Sequence, residues 1–366
     1  MDIKISGKGI GHGKPCFIIA EAGVNHNGDV GIAKKLVDAA KAAGADAVKF
    51  QTFKSEKIVT STAEQAEYQT KNIGKKESQY VMLKRLELGY DDFRELKRYC
   101  DKKGIVFLST PHSCKDDVDL VAKLCPAIKV GSGDLTNLPM LKHIAEKKLP
   151  IILATGMGTL EEVREAVDVI APINKSLVLL HATTNYPTFV NEVNMLAMFA
   201  MAKEFGYPVG YSDHTEGIAV SVAAVAMGAC VIEKHFTLDR TMEGPDHKAS
   251  LEPNELKRMV DEIRSVEQRL KRGETYEKIV NELGLANALG DGVKRPMPSE
   301  FETMKVARKS VVAATDIEKG AIIDEEMLAV KRPGTGLKPK YYWSLLGKHA
   351  KRYITKDEMV KRDDFQ

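Results

Sequence analysis

A short β-branched run followed by a helical pattern recurs eight times along this 366-residue chain, and that alternation restricts the possible folds more than any other feature. The strand candidates cover residues 16–22, 47–52, 105–110, 128–131, 151–155, 177–182, 209–212 and 231–236. Helical patterns follow them, for example at 31–43, 91–103, 160–170 and 253–272. Such alternation reads as a parallel sheet, because each parallel pair needs a long crossover between its strands. Eight units ending near residue 272 predict a (β/α)8 TIM barrel of the α/β class. The competing architecture, an open doubly wound sheet, seldom needs eight strands and usually carries a GxGxxG turn.

Three stretches depart from the regular pattern. Residues 1–14 (MDIKISGKGIGHGK) read as a hairpin cap on the barrel, and residues 54–90 form an oversized loop after the second strand. Loops that follow barrel strands line the active face, so this one is a candidate lid or substrate wall. From Asn281 the periodicity fades into GLANALGDGVKRPMPSE. We therefore expect a barrel domain at 1–280, a linker at 281–303 and a second unit at 304–366, whose small core should lean on another surface.

Composition mainly removes alternatives. A chain with 43% hydrophobic residues, 29% charged residues and a net charge of +3 gives no electrostatic footprint for nucleic acid. No apolar run approaches the roughly 18 residues of a membrane helix, and Met1 leads into Asp2, Lys4 and Lys8 without an apolar h-region. We expect a cytoplasmic protein with neither membrane nor nucleic acid among its partners. Five cysteines without CxxC spacing argue against a disulfide framework or a zinc ribbon.

In a barrel of this kind the reactive residues come from the C-terminal ends of different strands. Those ends are unusually polar here: Glu21, Lys49 with Gln51, Thr110 with His112, Lys129 with Ser132, Thr155 with Gly156, His181 to Tyr186, Ser212 to His214, and Glu233 to His235. His214 and His235 occupy matched ends of neighbouring strands, where two imidazoles can converge on a divalent cation, with Glu21 as a nearby carboxylate. The plainer reading is a pair of hydrogen-bonded histidines in a polar core. His26, His112 and His247 are further ligand or donor candidates, whereas His12, His143 and His349 read as surface or packing residues. Lys49 and Lys129 lie within strands and must face the lumen or an anion; with Ser132, Thr155 and the amides near Gly131, Gly133 and Gly156 they describe a phosphate or carboxylate cradle. A Schiff-base lysine and an internal salt bridge to Glu21 or Glu233 remain open at this point.

The segments IAEAGVNHNGD (19–29), VKFQTF (48–53), STPH (109–112), KVGSGD (129–134), ATGM (154–157), VGYSDHT (209–215), IEKHFTLDR (232–240) and EGPDHKASLEP (243–253) together resemble the sialic acid synthase family. ARKSVVA (307–313) and VKRPGTG (330–336) resemble its C-terminal antifreeze-like (SAF, β-clip) domain. The resemblance implies condensation of phosphoenolpyruvate with an N-acylated amino sugar, with release of phosphate by C–O cleavage. It also implies a divalent cation, manganese or else magnesium or cobalt. By matching positions, His214 and His235 would bind the metal, with Glu21 beside it. Lys49, Lys129, Ser132, Thr155 and Gly156 would hold phosphoenolpyruvate, while Thr184, Asn185, Tyr186 and Asp246 would meet the sugar. Glu21, Tyr186 and Asp246 would be the catalytic set.

In the family the antifreeze-like domain crosses a homodimer and offers an arginine to the partner's site, so Arg332 should arrive from the partner chain of a domain-swapped dimer. The plainer alternative has Arg332 capping its own small domain. At 181–190 this chain reads HATTNYPTFV, with Ala182 where relatives have cysteine and Phe189 where they have proline. Thr184 and Asn185 in the variable pair are similar to those of legionaminic acid synthases as well as of some N-acetylneuraminate synthases, so the sugar stays open within the family, with N-acetylmannosamine named first. The alternative is 2,4-diacetamido-2,4,6-trideoxymannose, the legionaminic acid precursor. An inactive barrel whose small domain binds carbohydrate or protein is the reading from a different functional class.

Overall fold

The computed structural model describes residues 3–112 and 114–366, so the first two residues of the expected N-terminal cap lie outside it. The rest of that cap is an antiparallel hairpin, β1 (Ile3–Ile5) and β2 (Lys8–Ile10), paired from Ile3↔Ile10 to Ile5↔Lys8. Ile3, Ile5 and Ile10 are buried in the main core, because the hairpin closes the end of the barrel opposite the reactive strand ends.

Eight parallel strands follow: β3 (Phe17–Gly23), β4 (Ala47–Thr52), β5 (Val106–Pro111), β6 (Ile128–Val130), β7 (Ile151–Ala154), β8 (Leu177–Ala182), β9 (Val209–Asp213) and β10 (Val231–His235). Their order β5-β4-β3-β10-β9-β8-β7-β6 brings β5 and β6 side by side at the seam, giving the expected barrel, nearly closed. The strands read as continuous apolar runs because helices cover their outer face. The first crossover is α1 (Val30–Ala43). Three short helices, α2 (Ser55–Ile58), α3 (Glu67–Ile73) and α4 (Gln79–Leu86), precede the second, α5 (Tyr90–Lys103). Then come α6 (Lys115–Leu124), α7 (Leu138–Glu146), α8 (Leu160–Ile170), α9 (Ala197–Phe205), α10 (Ala219–Ala226) and α11 (Pro253–Lys271). Their starts follow local chemistry: the Asp29 side chain caps the Ile32 amide, Thr159 and Glu162 form a reciprocal capping box, and Pro253 opens α11.

Register sets the reactive end. His235 lies opposite Glu21, Glu21 opposite Lys49, and Glu233 opposite Ser212, so these side chains meet at adjoining levels of the lumen. The two-residue period turns Lys234 the other way, into the helix layer, where it pairs with Asp213 at 2.9 Å. A register shift between Glu21 and Gly23 carries β3 past its neighbour; Gly23 there has φ +55°.

The oversized loop is ordered around its own small core, in which Val24 and Phe53 pack against Ile58, Val59, Met82 and Leu86. The segment read as a linker is also structured. After α12 (Tyr276–Glu282) it is strapped to the barrel by bonds from Met195, Leu196 and Leu160 amides to the carbonyls of Ala288, Leu289 and Lys294, and then forms α13 (Glu300–Ala307). The small domain pairs β11 (Ser310–Ala313) with β12 (Leu328–Lys331) over a core including Val311, Ile323, Leu345 and Ile354. It leans on the barrel mouth: Arg332 exchanges backbone bonds with Ile58 and Thr60 of the loop, and buried Lys309 pairs with Asp134 at 2.6 Å. No disulfide forms among the described residues, and Cys16, Cys100, Cys125 and Cys230 are buried. Among the described residues no helix is long and apolar enough to cross a membrane.

Candidate active site

A chain of alternating charges lies at the floor of the barrel mouth. Lys49 Nζ is 2.8 Å from Glu21 and 3.6 Å from Glu233, and Lys129 Nζ is 3.3 Å from the other oxygen of Glu233. Lys49 also donates to Thr110 Oγ1 at 3.0 Å, Gln51 donates to Glu21 at 3.1 Å, and Ser212 donates to Glu233 at 3.1 Å. Burial alone would raise the carboxyl of Glu233, but Lys129 and Lys49 outweigh it and hold it down at about 2. Burial pushes Glu21 upward against the pull of Lys49. Burial would also discharge Lys49, yet Glu21 and Glu233 keep its ammonium above the ordinary lysine value. Lys129, with Glu233 as its ion-pair partner, is lowered by burial. The salt-bridge alternative is thus real for both lysines, and each still faces the same cavity.

Beside this floor the rings of His214 and His235 stand 5.7 Å apart, with Tyr186 4.3 Å from the first and 5.7 Å from the second. His214 Nδ1 donates to the Thr183 carbonyl at 2.7 Å, which leaves Nε2 as the acceptor facing the cavity, 3.2 Å from the Tyr186 hydroxyl. Buried Nδ1 of His235 has no hydrogen-bond partner. Burial lowers both imidazoles, His214 to about 4, so both are neutral at physiological pH, which is the metal-binding form. Among the described residues no three His, Cys, Asp or Glu side chains converge into a metal cage. The residues present fit a cation with two imidazole ligands whose other positions are open to water and substrate.

The cradle is narrower than the sequence suggests. Ser132 and the Gly131–Gly133 backbone line the cavity, and the Gly156 amide donates to Ser132 Oγ at 3.1 Å. A Cβ on Gly156 would come within 2.1 Å of Thr184 Oγ1 and 2.7 Å of Ser132 Oγ, so only glycine lets these hydroxyls close together. Thr155, expected in the cradle, turns away: its hydroxyl is fully buried and donates to the Leu180 carbonyl at 2.9 Å, because alternation at the end of β7 points it outward. Thr184, expected beside the sugar, sits with Ser132 and Gly156 instead. Asn185, also expected there, bends back to the Pro187 carbonyl at 2.9 Å and does not line the cavity.

The outer wall comes from the loop and the small domain. Tyr68 of α3 stacks on Tyr186 with ring centroids 4.9 Å apart, and Asp246 faces the same space. Burial, with a smaller contribution from Glu21, raises the Asp246 carboxyl to about 7. Arg332 donates to Gln79 Oε1 at 3.1 Å and lines the cavity of its own chain, where a partner's arginine had been expected. The strapped joining segment is what sets this small domain over its own barrel mouth. Of the other histidines, His112 lines the same cavity and meets Asp134 at 3.4 Å, whereas His26 accepts from the Gly28 amide and His247 bonds Thr237. His143 pairs with Asp119 and His349 with the Gly320 carbonyl, as packing residues would. Tyr68 and Gln79 were visible only as members of a long loop, and the bridging place of Glu233 between the lysines depends on register that sequence does not state.

A model of the NeuB family matches residues 36–275, and one of the SAF domain matches residues 308–366. The N,N'-diacetyllegionaminic acid synthase of Legionella pneumophila subsp. pneumophila is 46% identical over 94% of this chain and 93% of its own length. The N-acetylneuraminate-9-phosphate synthase of Homo sapiens is 36% identical over 98% of this chain and 94% of its own length. The crystal structure of the spore coat polysaccharide biosynthesis protein SpsE from Bacillus subtilis superposes with a TM-score of 0.84 at 33% identity, covering 100% of this chain and 99% of that one.

Proposed function

The chain belongs to the NeuB family and ends in a SAF domain, and from that premise we propose that it condenses phosphoenolpyruvate with an N-acylated mannosamine-type sugar to give a nine-carbon 2-keto acid and phosphate. The observation that carries this reading is the Glu21–Lys49–Glu233–Lys129 chain opening into the same cavity as the His214 and His235 imidazoles. Such a site offers cations to a phosphate and a carboxylate, and its two imidazoles would hold a Lewis acid in the same cavity. Identity of 46% to a diacetyllegionaminic acid synthase, against 36% to an N-acetylneuraminate-9-phosphate synthase, favours 2,4-diacetamido-2,4,6-trideoxymannose over N-acetylmannosamine. That reverses the order drawn from sequence alone.

The chemistry divides among this chain's own groups. Lys49, Lys129, Ser132 and the Gly131, Gly133 and Gly156 backbone hold phosphoenolpyruvate; Tyr186, Asp246 and Arg332 hold the open-chain sugar. His214 and His235 would hold a divalent cation, manganese or else magnesium or cobalt, which when bound supplies Lewis acidity to the sugar's carbonyl oxygen. C3 of phosphoenolpyruvate attacks the sugar's aldehyde carbon, and water adds at C2. The C2–O bond then breaks and expels phosphate, whose charge the two lysines stabilise. Burial raises the Tyr186 phenol far above its ordinary value, so it stays a hydrogen-bond donor throughout. Asp246, at about 7, can give or accept a proton near neutrality.

A homodimer is part of this proposal, with each small domain over its own barrel, where the strapped joining segment sets it. Phe189, Val190, Val293 and Phe301 remain exposed around the contact between Ser299 and Glu192, an apolar surface of the kind that a second copy covers. The test of the reaction is release of inorganic phosphate from phosphoenolpyruvate with manganese and either sugar. Metal-loaded, folded protein that releases none with both sugars overturns it.

A further inference from the structure

The helix α13, which joins the two domains, forms one wall of the cavity through Thr303, Val306 and Ala307. At its first turn Glu300 is 1% exposed, and neither the lysines nor the histidines of the site touch it. Its Oε1 accepts from the Met157 amide and the Thr184 amide, both at 2.6 Å, and its Oε2 accepts from the Met297 amide at 2.8 Å. Three backbone donors on one buried carboxylate are charge-assisted bonds, about twice as strong as neutral ones. The two amides on Oε1 belong to loops after different strands, β7 and β8.

Both loops lead directly to the cradle. Met157 follows Gly156, whose amide bonds Ser132, and Thr184 places its hydroxyl against Gly156. Met157 has φ +59°, a conformation a non-glycine residue keeps only when its surroundings impose it. The imposition is visible: Glu300 holds its N–H, and Arg308 donates to its carbonyl at 2.6 Å while gripping Glu162. At the far end of α13 the Ala307 carbonyl lies so close to Gly133 that a Cβ there would sit 2.7 Å away. Lys294 adds a second buried group in this region: burial lowers it to about 8 against the opposing pull of Glu300, and its ammonium has no hydrogen-bond partner.

We propose that Glu300 is a positioning residue for the phosphate cradle: by fixing the Met157 and Thr184 amides together, it makes the arrangement of Ser132, Gly156 and Thr184 depend on the seating of the joining helix. This rests on the reading of that cradle as the phosphoenolpyruvate site. Residues on α13 thereby link the small domain to the binding of the anionic substrate, and not to the sugar wall formed by Tyr68, Tyr186 and Asp246.

The test compares E300Q with the wild type in the full-length protein. Glutamine keeps the shape but turns a donor toward at least one backbone N–H. Binding of phosphoenolpyruvate by calorimetry should weaken at least tenfold, and the KM for phosphoenolpyruvate should rise equally, while the KM for the sugar stays within threefold. Hydrogen exchange in peptides spanning Met157 and Thr184 should quicken at least tenfold, with the strands unchanged. Equal changes in both KM values, or faster exchange with phosphoenolpyruvate binding within threefold, overturn the proposal, because a merely structural latch behaves that way. If E300Q does not fold, E300D is read by the same measures, and failure of both to fold also overturns it. A wild type that binds phosphoenolpyruvate but never turns over would instead sink the reaction, leaving the comparison of binding to judge Glu300 alone.

Discussion

Replacing Asp246 with asparagine should make the metal-free protein more stable at alkaline pH while removing its activity. Asp246 is 9% exposed and lines the cavity, where burial, and after it Glu21, raises its carboxyl from 3.8 to about 7. A raised acid favours the fold while it is protonated. Its contribution is therefore complete below pH 3.8 and is lost as pH climbs through about 7. At about 1.4 kcal/mol per pH unit, the ionised side chain costs up to about 4 kcal/mol above pH 7. D246N carries no charge at any pH and avoids that cost. Urea unfolding in EDTA should show the variant and wild type near parity at pH 4, diverging through neutrality, and separated by up to about 4 kcal/mol at pH 8.5. Turnover should fall roughly 100-fold or more, as expected for loss of a proton-transferring group. A stability difference that stays flat from pH 4 to 8.5 would refute the account of Asp246.

Four further outcomes follow from the same site. H214A and H235A should each abolish metal-dependent turnover while circular dichroism shows an intact barrel, and activity retained at saturating manganese would contradict the cation's place. K129M leaves Glu233 with one lysine in place of two; it should lose phosphoenolpyruvate binding and cost about 3–5 kcal/mol in denaturant unfolding, the usual penalty for breaking a buried pair. Borohydride added with a keto acid should trap nothing on Lys49, whose ammonium the two glutamates keep charged, nor on Lys129, which Glu233 pairs; an adduct on either would revive the Schiff-base alternative. Mixing inactive R332A with inactive H214A after co-refolding should restore no activity, because Arg332 lines the cavity of its own chain; recovery would show that the small domains are exchanged.

The barrel was legible because its signal is periodic: eight apolar runs with helices between them leave few other folds, and Lys49 and Lys129 inside strands do face the lumen, although Lys234 finds its partner Asp213 in the helix layer. His214, His235 and Glu21 were legible for a related reason, since matched strand ends become neighbours once the strands are parallel. Direction at a strand end was less so. Thr155 and Gly156 are adjacent in sequence, yet one side chain faces the helix layer and the other position packs two cradle hydroxyls. The contributions of loops were least legible, because they depend on how far a segment folds back. Tyr68 reaches Tyr186 only through the packing of α2 to α4, and Glu300 sat in a stretch whose glycines and prolines read as a flexible connection. The chain that supplies Arg332 likewise depends on where the joining segment docks, a matter of tertiary contacts and not of motif.

The most direct test of the proposed reaction uses phosphoenolpyruvate labelled with 18O in the bridging C2–O position, together with manganese and 2,4-diacetamido-2,4,6-trideoxymannose. The site described here predicts that all of the label leaves in inorganic phosphate and that a nine-carbon 2-keto acid appears in equal amount. Label retained in the organic product, or phosphate released without a new carbon–carbon bond, would contradict it.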